Sequence, residues 1–185
     1  MATSRSALVY ADFLLPHLTT GTYLVDVGCG DGELSLDLAR EVRQITGVDS
    51  DEDDIQAANR SAGLLGTENA DFSVGDAYAL DVPDSRADAV LAHSVLEALD
   101  RPAEALAEMK RVLKPGGVVA AASVEYDGLI LAGPYQPLVR RFYHIREQLW
   151  QYDGADPYLG RELRRLLLEA GYVDVVASTK SISYG

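Results

Sequence analysis

Cysteine is nearly absent from this chain: Cys29 is the one example among 185 residues. No internal disulfide can form, and a zinc site built from several thiolates is excluded. Histidine is scarce as well. His17, His93 and His144 lie far apart with no ligand-like spacing, so no metal site is expected. Positive charge is the minority, with 16 Lys and Arg against 29 Asp and Glu and a formal net charge of −13. Such a surface repels phosphate backbones and anionic lipid at long range, which argues against nucleic-acid and membrane partners. Long apolar runs are missing too; none nears the ~18 residues of a membrane span. The opening stretch MATSRSALVYADFLLPHL has neither a continuous apolar centre nor a small-residue cleavage site. It is a poor signal peptide, and a cytoplasmic protein is expected.

What is present is an ordinary globular mixture, 48% hydrophobic and 24% charged. The length suits a single domain over residues 1–185. A chain of this size buries roughly 70% of its unfolded surface. Apolar, β-branched runs alternate with helical patterns. Strands are expected at Tyr23–Val27, Gln44–Val48, Asp71–Val74, Ala89–Ala92, Val118–Val124 and Tyr172–Ser178. Several are continuously apolar, as strands covered on both faces are. Ser50 and Asp53 read as a capping-box-like start for a helix that ends near Gly63. Asp100 and Pro102 open another, with Leu106, Met109 and Leu113 as its buried stripe and Pro115-Gly116-Gly117 as its stop. Leu138, Phe142, Ile145, Leu149 and Tyr152 follow a helical spacing, and Gly160 to Ala170 reads as a last helix. The alternation predicts an α/β fold: a doubly wound, mostly parallel sheet with helices on both faces. Ligands in such sheets bind beyond the strands' C-terminal ends.

The first strand runs into LVDVGCGDGEL, residues 24–34, with three glycines in close succession. Glycine costs conformational entropy, so three together point to a backbone kept bare for a turn and a ligand. A dinucleotide fingerprint needs its third glycine one residue later, where Glu33 stands. A pyrophosphate also avoids nearby anions, yet Asp26 and Asp31 flank the loop. Two carboxylates fit a positively charged ligand. The second strand ends at Asp49, about twenty residues downstream of the loop, where an acidic residue accepts from ribose hydroxyls. The third ends Gly75-Asp76-Ala77, a carboxylate beside a free amide that together can read an adenine edge.

The stretch LVDVGCGDG, followed by GVD, GDA, the LAHSVLEAL segment and RVLKPGG, resembles the class I S-adenosylmethionine-dependent methyltransferases. It is most similar to their small-molecule branch, which includes ubiquinone- and menaquinone-biosynthesis-like enzymes. The resemblance covers about residues 10–178. It implies S-adenosylmethionine as cofactor and a small-molecule acceptor. It places Asp26, Gly28 and Gly30 against the methionine portion, with Cys29 a variable packing position inside the motif. Asp49 would hold the ribose, with Ser50 beside the adenine. Asp76 and Ala77 would read the adenine edge. Ala92, His93 and Ser94 would line the reactive methyl.

Methyl transfer from a sulfonium needs alignment and exclusion of water, and a base only where the nucleophile must lose a proton. His93 is the candidate base; Glu97, Glu125, Tyr126, Tyr143 and His144 are further candidates, Glu97 being expected on a solvated helix turn. The aromatic segment Glu125–Trp150 either covers a substrate or packs as a helix on the sheet. The resemblance also implies a seventh, antiparallel strand. Only Thr179–Gly185 follow the sixth, too few for it, which reads as a truncated or minimal fold whose open edge a homodimer could cover. Two alternatives stand beside methyl transfer: a module that binds the cofactor without turnover, and a nicotinamide-dependent reductase.

Overall fold

A computed structural model describes residues 6–128, 130–131 and 133–181. Its centre is a parallel sheet of β1 (Tyr23–Val27), β2 (Gln44–Asp49), β3 (Ala70–Val74), β4 (Ala87–His93) and β5 (Leu113–Ala122), in the order β3-β2-β1-β4-β5. Helices α1 (Ala7–Tyr10), α2 (Glu33–Leu38), α3 (Glu52–Leu65), α4 (Pro102–Val112), α5 (Gln136–Tyr152) and α6 (Leu163–Glu169) complete it.

Side chains alternate across a strand, so β1, β2, β4 and β5 each feed two cores, while β3 feeds one through Ala70 and Phe72. Leu24, Ile45 and Leu91 face one side, packed with Leu14, Leu38 and Ile55 from the segments around α1, α2 and α3. Val25, Val48 and Val90 face the other, packed with Leu106 and Met109 of α4 and Leu167 of α6. Every residue of β1 is buried, because helices cover both faces of the central strand. Full burial of a side chain such as Leu106 contributes about 1.5–3 kcal/mol.

The chain fills the sheet outward from β1 through β2 to β3, then returns to lay β4 against the other side of β1. The order reverses between β1 and β4, and the crevice that opens there is where open α/β sheets take ligands. Val27 is paired with Ala92, so the glycine loop and His93 leave the sheet side by side.

Several expectations are corrected. Tyr172–Ser178 is not a strand. Lys110 Nζ donates to the carbonyls of Ala170 and Gly171 at 2.9 and 2.7 Å, and the Tyr172 hydroxyl donates to Leu106 O at 2.9 Å. These bonds hold the start of the segment against α4, and Val176 is left 92% exposed. Pro115-Gly116-Gly117 does not stop a helix. α4 has already ended at Val112, and the three residues form a bulge within β5, between Leu113 opposite Ala87 and Val118 opposite Ala89. The cap of α3 is Asp51, which accepts from the amides of Asp53 and Asp54, and the helix runs on to Leu65 before Gly66 turns it off. The segment 159–162 is a short 3-10 turn leading into α6. The apolar stripe of α5 is exposed: Phe142 is 58% and Leu149 56% accessible, and no residue of the helix is buried. Residues 182–185 of the expected last segment lie outside the described residues.

Candidate active site

The loop after β1 is stitched to the end of β2. The amides of Gly28 and Cys29 donate to Val48 O at 2.7 and 3.2 Å. Asp49 then clasps the loop: Oδ2 accepts from Gly30 N at 2.7 Å, and Oδ1 accepts from Asp51 N at 3.0 Å. A carboxylate has about four acceptor positions, so Asp49 keeps capacity for further donors. Gly75 N donates to Asp49 O at 2.8 Å, which brings Asp76 and Ala77 alongside on the same sheet edge. Asp76 is exposed and uses Oδ1 to accept from Tyr78 N at 2.8 Å. Ser50, also exposed, links Asp49 to the cap of α3.

The three loop glycines have different reasons for being glycine. All have positive φ: 72° at Gly28, 54° at Gly30 and 77° at Gly32. A Cβ on Gly28 would lie 2.1 Å from Val95 Cγ2, and one on Gly32 would lie 2.8 Å from Ala58 and 3.0 Å from Phe72. Packing alone therefore requires two of them. At Gly30 the nearest atom is Asp54 Oδ2, at 3.8 Å, so that stretch of main chain faces open space.

The flanking acids also separate. Asp26 is buried and its carboxylate accepts the Ser35 hydroxyl. Asp31 points outward and accepts from Glu33 N at 3.3 Å. Even so, the field at the loop is negative, and two groups register it. Burial pushes the Cys29 thiol up strongly, and Asp26 and Asp49 push it further. Desolvation, then Asp51, Asp49, Asp31 and Asp53, raise the Asp54 carboxyl above its usual range. Cys29 thus remains a protonated thiol, with Sγ 2.9 Å from where a Cβ on Gly47 would stand.

Across the crevice, Ala92 is fully buried, paired between Val27 and Ala121. His93 ends β4. Its ring meets Tyr10 edge-on, with centroids 5.7 Å apart, and its Nδ1 lies 3.3 Å from Ser94 Oγ. Ser94 has φ 58°, a left-handed conformation that costs a non-glycine residue roughly 1–2 kcal/mol. It is held there by its amide, which donates to Ala122 O at 2.7 Å.

Glu97 is the main surprise among the side chains. Expected in solvent, it is fully buried. Its carboxylate accepts from Ser123 Oγ at 2.6 Å and from Val124 N at 3.3 Å. Burial pushes its carboxyl up despite those bonds. The other candidate bases gather further along the same edge. Glu125 is held by Arg161 and its carboxyl is lowered by it. Tyr126 stacks on Trp150 and meets Tyr143 edge-on. His144 is exposed, with Nδ1 3.6 Å from Glu147. Tyr10 and Ser123 carry no motif, and only folding brings them to the site; Val95 lies within LAHSVLEAL, but its contact with Gly28 is set by the fold.

The residues at the β1–β4 crevice suit a ligand with hydroxyl groups and a positive charge: spare acceptor capacity on Asp49, an open stretch at Gly30 and a negative field. S-adenosylmethionine is such a ligand. Among the described residues no cluster of His, Cys, Asp and Glu could hold a metal ion. Also among them, no helix is long and apolar enough to cross a membrane.

Comparison with known proteins finds methyltransferases in sequence and in fold. The family model described as a methyltransferase domain matches residues 25–121. An uncharacterised 37.1 kDa protein from a transposon of Streptomyces fradiae is 30% identical over 178 residues, covering 93% of this chain and 50% of the relative. An uncharacterised methyltransferase of Schizosaccharomyces pombe is 31% identical, over 91% of this chain and 63% of its own length. A demethylmenaquinone methyltransferase of Staphylococcus aureus is 28% identical, over 84% and 69%. The chain thus spans half to two-thirds of the length of these relatives. Among solved structures, a methyltransferase-like protein of Bacillus halodurans superposes with TM-score 0.70 at 23% identity, over 88% of this chain and 68% of the other, which shows the fold. The 4+2 cyclase SpnF superposes with TM-score 0.67 at 31% identity, over 86% and 56%.

Proposed function

The chain belongs to the class I S-adenosylmethionine-dependent methyltransferase family, and on that premise we propose that it transfers a methyl group to a small-molecule acceptor at the β1–β4 crevice. The observation that carries this reading is the Gly30–Asp49 clasp: an open, positive-φ main chain bonded to a carboxylate with acceptor capacity to spare, in a negative field at the point where the strand order reverses. When bound, S-adenosylmethionine supplies an electrophilic methyl group: the acceptor's lone pair forms the new bond to carbon as the carbon–sulfur pair returns to sulfur, leaving S-adenosylhomocysteine.

In this reading Asp49 orients the ribose, with Ser50 at its side. Asp26, Gly28, Cys29 and Gly30 form the floor under the methionine portion, and Asp76 and Ala77 meet the adenine. Ala92, His93 and Ser94 line the methyl, and His93 receives the proton an acceptor must release. Residues 1–185 act as one domain in the cytoplasm, with a small acceptor and neither nucleic acid nor membrane as partner. A homodimer covering the free edge of β5 belongs to the same reading; a monodisperse monomer by light scattering, with β5 amides slow to exchange, counts against it.

The decisive measurement is calorimetric titration with S-adenosylhomocysteine. Wild type binds, and Asp49→Ala loses ~1–3 kcal/mol, the cost of hydrogen bonds to a charged group. Unchanged affinity would remove Asp49 from the ribose.

A second reading, ligand binding with different chemistry, draws on the cyclase at 31% identity. It is separated by offering acceptors with S-adenosylmethionine and looking for S-adenosylhomocysteine. The family match goes against the nicotinamide-dependent alternative.

A further inference from the structure

A second cavity stands at the β5 end of the same sheet edge. Its volume is about 550 Å³, within the size of small-molecule sites. Its walls come from the turn after β5, from α5 and from the turn beyond it, with Tyr126, Tyr143, Tyr158, Arg140, Arg141 and His144 among the lining residues. The cavity is tied to the β4 end of the crevice through Glu97, four residues beyond His93: its carboxylate takes the Val124 amide, and Tyr126 follows two residues on.

The cavity lining carries two acids, Asp127 and Glu147, and two arginines, Arg140 and Arg141, which are not paired with each other. Its acids are already engaged. Asp127 pairs with Arg161 at 2.7 Å, while Glu147 accepts the Tyr158 hydroxyl and lies beside His144. The Glu147 bond pushes the Tyr158 phenol up to about 12, so it stays protonated. Arg140 and Arg141 have no acidic partner among the described residues. In a chain of net charge −13, Arg140 and Arg141 place two adjacent guanidiniums on an aromatic-walled cavity. The orientation of α5 adds a second observation. It turns Arg140, Tyr143, His144 and Glu147 towards the cavity and leaves Leu138, Phe142 and Leu149 in solvent. A helix serving only to complete the core would be turned the other way.

We propose that this cavity binds the methyl acceptor and that the acceptor is an aromatic carboxylate, its ring among the tyrosines and its carboxylate on Arg140 and Arg141. The proposal rests on the methyl-transfer reading above. A planar guanidinium matches a carboxylate through paired hydrogen bonds, and tyrosine rings favour offset or edge-on contact with an aryl ring. A monoanion fits better than an aryl phosphate, because Asp127, Glu147 and the overall acidic field oppose a dianion about twice as strongly.

Trp150, the single tryptophan, is stacked on Tyr126 with centroids 5.4 Å apart and reports on the cavity by fluorescence. The test titrates wild type and Arg140→Gln/Arg141→Gln with benzoate, 4-hydroxybenzoate and 1-naphthoate, each against its neutral amide, and with phenyl phosphate. S-adenosylhomocysteine affinity is measured on both proteins by calorimetry. The expected result is a preference of about tenfold or more for acid over amide, lost in the variant while S-adenosylhomocysteine binds both proteins alike. Equal binding of acids and amides, or a preference that survives in the variant, overturns the proposal. Tighter binding of phenyl phosphate than of any carboxylate overturns the carboxylate assignment. Failure of wild type to bind S-adenosylhomocysteine overturns the methyl-transfer reading and with it the role of acceptor, whatever the cavity holds.

Discussion

Gly28 and Gly30 are two residues apart and share a left-handed backbone, yet their neighbours give them different tasks. Gly28→Ala drives a methyl group into Val95 as well as straining the backbone. It is expected to cost about 1–3 kcal/mol or more in urea denaturation. Gly30→Ala meets no atom closer than 3.8 Å, so only the backbone strain of roughly 1–2 kcal/mol remains. Its larger effect should appear in calorimetry, as a loss of S-adenosylhomocysteine binding out of proportion to the lost stability. The reverse ranking would mean the open space at Gly30 is not where the ligand lies. Glu97 makes a prediction in pH. Its carboxyl is raised in the folded protein above the ordinary 4.5. Below that value it is protonated in both states. As pH rises the unfolded chain releases its proton first, so stability falls until the folded-state value is passed. Glu97→Gln keeps an oxygen for Ser123 and Val124 without the charge. Its stability relative to wild type is expected to grow as pH rises above 4.5 and to level off once the folded-state value is passed. A constant difference would mean that Glu97 is not desolvated.

At the scale of elements, α5 carries the clearest mismatch between pattern and placement. The spacing of Leu138, Phe142, Ile145 and Leu149 foretells the helix but not the direction of its apolar face. Phe142→Lys and Leu149→Lys are therefore expected to change stability by about 0.5 kcal/mol or less, as surface substitutions do. Leu106→Ala in α4, fully buried, is expected to cost about 2–5 kcal/mol. Comparable losses for all three, read by thermal denaturation, would place the α5 stripe in a core. The same limit applies to Tyr172–Ser178. Its apolar residues look like a strand, but a strand needs a partner edge, and bonds from Lys110 and to Leu106 hold the start of the segment against α4. Strands β1 and β4 were legible because nearly continuous apolar runs have few other uses, and β2 and β3 as short β-branched or aromatic runs between turn residues. The bulge in β5 was not, since Pro-Gly-Gly punctuates a helix end and a strand irregularity equally well.

For the molecule as a whole, 29 acidic against 16 basic residues set up self-repulsion in the compact state. Raising monovalent salt from about 0.01 to 0.15 M shortens the screening length from about 30 to 8 Å. The melting temperature is expected to rise by about 2–4 °C, equivalent to ~1 kcal/mol for a chain of this size. A fall would mean that surface pairs such as Arg165 with Glu162 and Glu169 outweigh the repulsion. By itself, the sequence determined the α/β alternation, the glycine loop and the acid at the end of the second strand. Those depend on neighbours in the chain: strand periodicity, the freedom of glycine, and a spacing of about twenty residues. Only the tertiary structure decided which glycine faces open space, that Glu97 is desolvated, that Tyr10 reaches His93, and that Arg140 and Arg141 line one cavity with three tyrosines. Each of these is set by what packs across from a residue, and separation along the chain carries no record of that.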